Sequence, residues 1–188
     1  MIKFAFKTIS TLITLAIIGY IAYKYVSPKL ESVGKEEASD LLVVERVVDG
    51  DTFKMANGER VRLLGIDTPE KFQSEKLEKD VKKSGKDKKA IQTLGKLSSE
   101  YVKNFVEGKK VKLVKEPGTD KDKYGRSLRY VYLEDGTFVN AKILQDGYAN
   151  VYEYAPISKL DEFRKYVKDA RENKRGLWGE VKGLKQME

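Results

Sequence analysis

Carboxylates follow each of two apolar runs in this sequence, and an arginine lies between the two groups. The first run leads into Asp49-Gly50-Asp51 and the second into Asp67-Thr68-Pro69-Glu70, with Arg62 between them. Hard divalent cations such as calcium bind carboxylate, carbonyl and water oxygens. A phosphodiester that loses its leaving group needs positive charge where its own negative charge develops. These residue types therefore indicate phosphate-ester chemistry assisted by arginine and an oxygen-bound metal.

Neither motif is specific when it is taken alone. An isolated Asp-Gly-Asp sequence is more often a turn than a metal site. A calcium EF-hand loop is excluded, because such a loop ends in a bidentate glutamate at its twelfth position. Twelve residues counted from Asp49 end at Arg60, and twelve counted from Asp120 end at Val131.

The composition excludes several classes of catalyst. The chain of 188 residues contains no histidine and no cysteine, so serine–histidine triads, imidazole acid–base catalysis, histidine–zinc sites and thiolate sites are ruled out. Thirty-seven Lys and Arg against twenty-nine Asp and Glu give a formal charge of +8. That charge favours a polyanionic partner such as nucleic acid or an anionic membrane surface. Many proteins, however, carry a lysine-rich surface only because it is well solvated.

The amino-terminal segment is expected to reach a membrane. Residues 8–23 carry no charge and are flanked by Lys7 and Lys24. Sixteen helical residues extend only ~24 Å, less than the ~30 Å hydrocarbon layer, so both lysines must snorkel and the usable span becomes residues 4–26. A cleaved signal peptide is the alternative, but no small-x-small cleavage site is evident. We expect residues 1–26 to be an uncleaved anchor and residues 27–40 a tether.

The elements that must position the polar residues follow from periodicity and turn signals. The Asn57-Gly58 dipeptide predicts a hairpin, and Trp178 is expected to fill the core near the carboxyl end. The predicted fold class is α+β, mainly β: a five-stranded OB-fold barrel with about three helices, preceded by the transmembrane or signal helix. The barrel domain is predicted for residues 41–180 and a tail for 181–188. Strands are predicted at 41–48, 52–55, 60–66, 111–114 and 129–133, and helices around 91–105, 141–145 and 160–170.

A lysine-rich segment, residues 71–89, separates the second carboxylate motif from the next predicted helix. It contains eight lysines against four carboxylates. Two interpretations stay open for it. It could grip phosphates in a salt-sensitive way, or it could be a solvated and mobile insertion.

The polar positions, in order, resemble the staphylococcal nuclease (thermonuclease) family from about residue 41 to about residue 180. The resemblance rests on the two carboxylate motifs, on Arg62 and on Lys123-Tyr124-Gly125-Arg126. Members of that family are small calcium-dependent enzymes on an OB-fold barrel that cut DNA and RNA. The resemblance implies calcium ligands at Asp51, Asp67 and the carbonyl of Thr68, completed by waters and a substrate phosphate oxygen.

The resemblance also implies roles for the remaining site residues. Glu70 would be the general base, or the group that orients the attacking water, and Arg62 and Arg126 would stabilise charge on the phosphate. Three tyrosines match positions that contact the nucleotide, where aromatic stacking accepts any base; for the last two, half-buried packing is an equal alternative. These are Tyr124, Tyr152 and Tyr154.

The expected function is therefore a monomeric, membrane-tethered, calcium-dependent phosphodiesterase. It would act as an endo- and exonuclease on DNA and RNA, leaving 3′-phosphates, with its catalytic domain outside the cytoplasm or secreted if the anchor is cleaved. The alternative is a catalytically inactive OB-fold module that binds nucleic acid at the membrane. A structural anchor with no nucleic-acid role is a third reading, and such a protein would be expected to lack at least one of five polar residues. All five are present, namely Asp51, Arg62, Asp67, Glu70 and Arg126.

Overall fold

The computed structural model describes Tyr20, Lys24 and residues 41–72, 74–85, 87–153 and 157–179. Residues 1–40 and residues 41–188 form two separate units. Apart from Tyr20 and Lys24, the predicted anchor, the tether and the tail lie outside the described residues, and so does Tyr154. Among the residues that are described, no helix has the length and apolar character needed to cross a membrane.

Five strands close into a barrel. In the order of their pairing they are β1 (Leu41–Asp49), β2 (Thr52–Met55), β3 (Arg60–Leu63), β6 (Ser127–Leu133) and β5 (Lys110–Val114). Strands β1 to β3 form an antiparallel meander, β3 pairs with β6 in parallel, and β5 closes the barrel by pairing with β6 and β1. The predicted five-stranded OB-type barrel is confirmed.

Apolar side chains from the strands and from the packed helices form one continuous core. Phe53, Val61, Val131 and Phe163 have no exposed surface, and Trp178 is also buried, as predicted. Four α-helices occur in the described part of residues 41–179, one more than predicted for that range. They are α1 (Glu75–Ser84), α2 (Lys88–Val106), α3 (Val139–Gln145) and α4 (Leu160–Glu172), followed by a 3-10 turn at Gly176–Trp178.

The prediction of one strand over residues 60–66 is wrong. Strand β3 ends at Leu63, and Gly65 has a φ of 74°, a left-handed conformation that interrupts a strand. Strand β4 (Ile66–Asp67) then pairs with β7 (Asn150–Val151) in a separate two-stranded sheet. This break turns the chain so that Asp67 and the residues after it lie over one end of the barrel.

Part of the lysine-rich segment forms helix α1, which the sequence did not predict. Helix α1 begins after Ser74, whose Oγ accepts the backbone N–H of Leu77 at 3.1 Å, and Leu77 is fully buried. The sequence reading missed α1 because its apolar contribution to the core is small. A single buried leucine is too weak a periodic signal to separate a ten-residue helix from a charged loop.

Candidate active site

Six of the residues singled out from the sequence line one cleft at an end of the barrel. The cleft has a volume of about 340 Å³ and lies where the β1–β2 turn, strand β3, the segment after β4 and the turn before β6 meet. Asp67 does not line the cleft directly, but its carboxylate contacts Arg62. The six lining residues are Asp51, Arg62, Thr68, Glu70, Tyr124 and Arg126.

Asp51 joins the two carboxylate motifs. The residue is only 6% exposed, and its Oδ2 accepts the backbone N–H of Thr68 at 3.3 Å and the Thr68 hydroxyl at 3.2 Å. Its Oδ1 accepts the hydroxyl of Thr52 at 3.0 Å. Burial alone would raise the pKa of Asp51. The charge of Arg62, together with hydrogen bonds from Asp49 and Thr52 and the charge of Lys76, outweighs burial and holds that pKa below its ordinary value. Asp51 is therefore a fixed, ionised oxygen donor.

Arg62 lies between the two aspartates in space as well as in the chain. Its Nη1 forms an ion pair with Asp51 Oδ2, and its Nη2 lies 3.5 Å from Asp67 Oδ1. Burial lowers the pKa of Arg62, but Asp51 and Asp67 more than offset this and raise it. Arg62 lines the cleft and is fixed there by its ion pairs with both aspartates.

Arg126 is held from two sides. Asp122 Oδ2 accepts a hydrogen bond from Nε and forms an ion pair with Nη2, each at 2.7 Å. On the other side, Nη1 donates to the Thr52 hydroxyl at 3.1 Å, the same hydroxyl that donates to Asp51. Asp122 Oδ1 also accepts the backbone N–H groups of Tyr124 and Arg126, at 2.9 and 3.0 Å. One carboxylate therefore fixes both the turn and the guanidinium.

The sequence reasoning missed Asp122 and Thr52. Asp122 fixes the Arg126 guanidinium, and Thr52 links Arg126 to the predicted ligand Asp51. A signal for Asp122 was present, because an aspartate two residues before a tyrosine and four before an arginine suits a side-chain-capped turn. For Thr52 there was no signal beyond its place after Asp51.

Glu70 is carried by a segment that packs tightly against helix α2. A Cβ atom added to Gly95 of α2 would lie 2.7 Å from the carbonyl carbon of Glu70 and from the backbone nitrogen of Lys71. Lys71 Nζ donates to the hydroxyl of Ser99, one turn further along α2, at 2.7 Å. Glu70 Oε1 accepts the backbone N–H of Phe72 at 3.1 Å. These contacts fix the Glu70 carboxylate at the wall of the cleft.

Two of the oxygens predicted to bind a cation already contact a positive charge. Lys76 Nζ donates to the carbonyl oxygen of Thr68 at 2.6 Å and lies 3.2 Å from Asp67 Oδ1. Burial lowers the pKa of Lys76, but the charges of Asp67 and Asp51 outweigh it and raise that pKa. The ammonium thus stands where a cation is stabilised, so this donor set fits a hard divalent ion.

A further carboxylate, that of Asp49, lines the cleft beside the predicted ligand Asp51. The backbone N–H of Asp51 donates to Asp49 Oδ1 at 3.3 Å. Burial, followed by the nearby charge of Asp51, raises the pKa of Asp49 to about 7. In the part of the chain that is described, no three His, Cys, Asp or Glu side chains form a preformed metal cluster. A bound cation would therefore need carbonyl, water or phosphate oxygens besides the aspartates.

Two of the three predicted tyrosines flank the arginines. Tyr124 is 70% exposed and its ring lies 5.4 Å from the Arg126 guanidinium carbon. Tyr152 is 39% exposed, and its ring centroid lies 5.9 Å from the corresponding carbon of Arg62. Tyr154 lies outside the described residues. Exposed rings beside guanidinium groups can stack on bases whose phosphates the arginines bind.

Comparison with known proteins places this site in context. Residues 60–180 match the family model described as staphylococcal nuclease homologue. The chain is 36% identical over 142 residues to the SPbeta prophage-derived endonuclease YokF of Bacillus subtilis, covering 73% of this chain and 43% of that protein. It is 35% identical over 142 residues to the endonuclease YncB of the same organism, covering 73% and 61%. It is also 35% identical over 145 residues to the thermonuclease of Staphylococcus intermedius, covering 72% and 74%. The chain therefore spans less than two thirds of the two Bacillus proteins.

Proposed function

Because this chain belongs to the staphylococcal nuclease homologue family, we propose that it is a calcium-dependent nuclease that hydrolyses phosphodiester bonds in DNA and RNA. One observation carries the proposal. Two guanidinium groups are fixed at a single cleft by an unbroken chain of contacts, in which Arg126 reaches Thr52, Thr52 reaches Asp51 and Asp51 reaches Arg62. A surface that only bound nucleic acid would not require arginines held this rigidly.

The arginines supply fixed positive charge to the phosphate. Arg62 and Arg126 line the same cleft. Asp51 holds the first through an ion pair, and Asp122 and Thr52 hold the second. Negative charge grows on the phosphoryl oxygens as the entering oxygen approaches and the leaving oxygen departs. Donors that are already in place stabilise this charge without reorganisation, and loss of one such donor costs ~100- to 1000-fold in kcat.

Glu70 is proposed to orient and deprotonate the attacking water. Histidine is absent, and the Glu70 carboxylate lines the cleft and is fixed through Oε1 by the N–H of Phe72. The water oxygen forms the new bond to phosphorus while Glu70 accepts its proton. The bond from phosphorus to the 5′-oxygen breaks, and that oxygen takes a proton from solvent and leaves as a 5′-hydroxyl. The phosphate stays on the 3′-oxygen of the other product.

Asp51, Asp67 and the carbonyl of Thr68 are proposed to hold calcium. A calcium ion held there would supply positive charge that offsets charge on the phosphate and would favour ionisation of a nearby water. Asp51 is kept ionised beside Arg62, and Asp67 and Thr68 already present their oxygens to one ammonium. Tyr124 and Tyr152 would stack on the flanking bases, and since stacking is sequence-tolerant, little base preference is expected.

A digestion assay on the full chain tests the proposal. Purified protein in a mild detergent is incubated with heat-denatured DNA or with RNA, in calcium or in excess chelator. Arg62→Ala and Arg126→Ala should each lower kcat by ~100-fold or more, whereas Arg60→Ala, which removes an exposed arginine from the same strand, should leave it unchanged. End analysis of the products should find 3′-phosphates.

The controls separate this proposal from its alternatives. Unchanged turnover in both site variants would remove the assignment of the arginines. Tight binding of nucleic acid by the wild-type chain, with no cleavage in any divalent metal, would favour the inactive binding module instead.

We further propose that residues 1–26 anchor the protein in a membrane and keep residues 41–180 outside the cytoplasm. The support is the uncharged run at residues 8–23 between lysines. Resistance of the full chain to alkaline extraction from membranes, together with digestion of the nuclease domain by protease added to intact cells, is the expected result. Recovery of a shortened chain from the medium would indicate a cleaved signal peptide.

A further inference from the structure

Helix α1 places Lys76 inside the proposed calcium site. Lys76 Nζ lies 2.6 Å from the Thr68 carbonyl oxygen and 3.2 Å from Asp67 Oδ1. These are two of the three groups proposed as protein ligands for calcium. Calcium binds oxygens at ~2.3 to 2.6 Å, so an ion on these oxygens would overlap the position of the ammonium.

The backbone of Lys76 is fixed at the rim of the cleft. The first turn of α1 is capped by Ser74, whose Oγ accepts the N–H of Leu77 at 3.1 Å. Leu77 is the residue next to Lys76, and it is completely buried. Ser74 and Lys76 line the same cleft as the site arginines. The helix therefore holds the lysine at the site, and only its side chain is left to move.

A second carboxylate offers the ammonium another position. Asp80, one helical turn further on, has Oδ2 at 3.9 Å from Lys76 Nζ. When the ammonium leaves the oxygens of Thr68 and Asp67, it can stay paired at the edge of the cleft. Displacement is therefore feasible without unfolding α1 or stranding a charge.

We propose that Lys76 sets the affinity of the metal site. Its ammonium and the divalent cation bind the same oxygens, so only one of them can be bound at a time. The inference rests on the proposed function, since it takes Asp67 and Thr68 as cation ligands. In the metal-free protein the ammonium neutralises the carboxylates, and calcium binds only the fraction of molecules in which the lysine has moved aside. If that fraction is about one tenth, the apparent affinity is weakened about tenfold.

The test is direct calcium binding to the full chain, measured by isothermal titration calorimetry without nucleic acid. Lys76→Met keeps the length of the side chain and removes its charge. Lys79→Met is the matched control, because it removes the same charge from an exposed position on the same helix. We expect Lys76→Met to bind calcium about tenfold more tightly than wild type, and Lys79→Met to bind as wild type does. Lys76→Gln should behave as Lys76→Met does, which guards against a folding defect in one variant.

Thermal unfolding supplies a readout that does not depend on activity. In chelator, Lys76→Met should melt below Lys79→Met, because the carboxylates of Asp51 and Asp67 lose a counterion. In saturating calcium this deficit should disappear, because the bound ion supplies the missing charge. Adding Asp67→Asn to Lys76→Met should abolish the gain in affinity if the tighter site is the proposed one.

The outcomes separate the inference from the function on which it depends. Measurable calcium binding of equal affinity in wild type, Lys76→Met and Lys79→Met would overturn the inference and leave the proposed function intact. An equal gain in calcium affinity in Lys76→Met and Lys79→Met would show that only the net charge matters, and it would also overturn the inference. No calcium binding in any variant would overturn the inference together with the calcium-dependent function.

Discussion

Asp122→Asn tests whether the orientation of Arg126, beyond its mere presence, limits turnover. Asparagine can keep the two backbone hydrogen bonds that Asp122 Oδ1 accepts from Tyr124 and Arg126. It cannot keep both charge-assisted contacts that Oδ2 accepts from the guanidinium, because its amide group is itself a donor. The turn should therefore survive while the grip on Arg126 is lost.

The expected fall in kcat follows from the contacts that Arg126 keeps in Asp122→Asn. A hydrogen bond to a charged group contributes about 1.5–3 kcal/mol, and both members of this pair are at most one fifth exposed. Deleting a preorganised donor outright costs ~3 to 4 kcal/mol, which sets the upper limit. Because the Thr52 hydroxyl still accepts from Nη1, we expect about 2 kcal/mol, or roughly a 30-fold fall in kcat.

The assay is steady-state hydrolysis of a labelled oligonucleotide in calcium, with a double-mutant cycle. Asp122→Asn should lower kcat in the wild-type background and have little further effect in an Arg126→Ala background, because Asp122 acts through Arg126. Asp135→Asn is the matched control, since Asp135 also accepts a backbone N–H two residues along, at 2.9 Å, outside the cleft. Equal losses in the two backgrounds would refute a role through Arg126.

The pKa of Asp122 also predicts how the stability of the protein changes with pH. Burial raises the pKa of Asp122, but its hydrogen bonds from Arg126 and Tyr124 outweigh this and hold it below the ordinary carboxyl value. A depressed pKa means that the ionised form stabilises the fold above the unfolded-state pKa and that this contribution is lost as pH falls through the folded-state pKa. The difference in unfolding free energy between wild type and Asp122→Asn should therefore be constant at neutral and alkaline pH and shrink in acid, as measured by urea unfolding.

Three further substitutions probe the other parts of the site and its scaffold. Gly95→Ala places a methyl carbon 2.7 Å from backbone atoms of the Glu70 segment. We expect kcat to fall about tenfold, the change expected for a slight misplacement of a catalytic group, while the calcium affinity measured by calorimetry is kept. An unchanged kcat would show that the segment accommodates the methyl group. Glu70→Gln should lower kcat by ~100-fold or more with little change in KM if Glu70 is the base, and equal changes in both constants would contradict that role. Phe53→Ala empties a fully buried position in the barrel and should lower the free energy of unfolding by about 3–5 kcal/mol; a urea-unfolding loss below about 1 kcal/mol would contradict the tight packing of the core.

The sequence alone determined the features that depend on neighbours along the chain. Alternating apolar residues and the Asn57-Gly58 turn gave the β2–β3 hairpin, and one apolar helical face gave α2. The paired carboxylate motifs and the arginine between them named residues that the tertiary structure does bring together. Such local patterns are legible because strand and helix periods act within a few residues.

The tertiary structure decided how those residues are held. Thr52 bridges Asp51 to Arg126 across 74 positions of sequence, and Gly95 admits the Glu70 segment to helix α2. No periodicity encodes such contacts, since they depend on which surfaces the closed barrel presses together. The position of Lys76 on the oxygens of Asp67 and Thr68 is of the same kind. A lysine in a lysine-rich segment carries no signal of its own, and only the packing of α1 through Leu77 brings this one to the carboxylates.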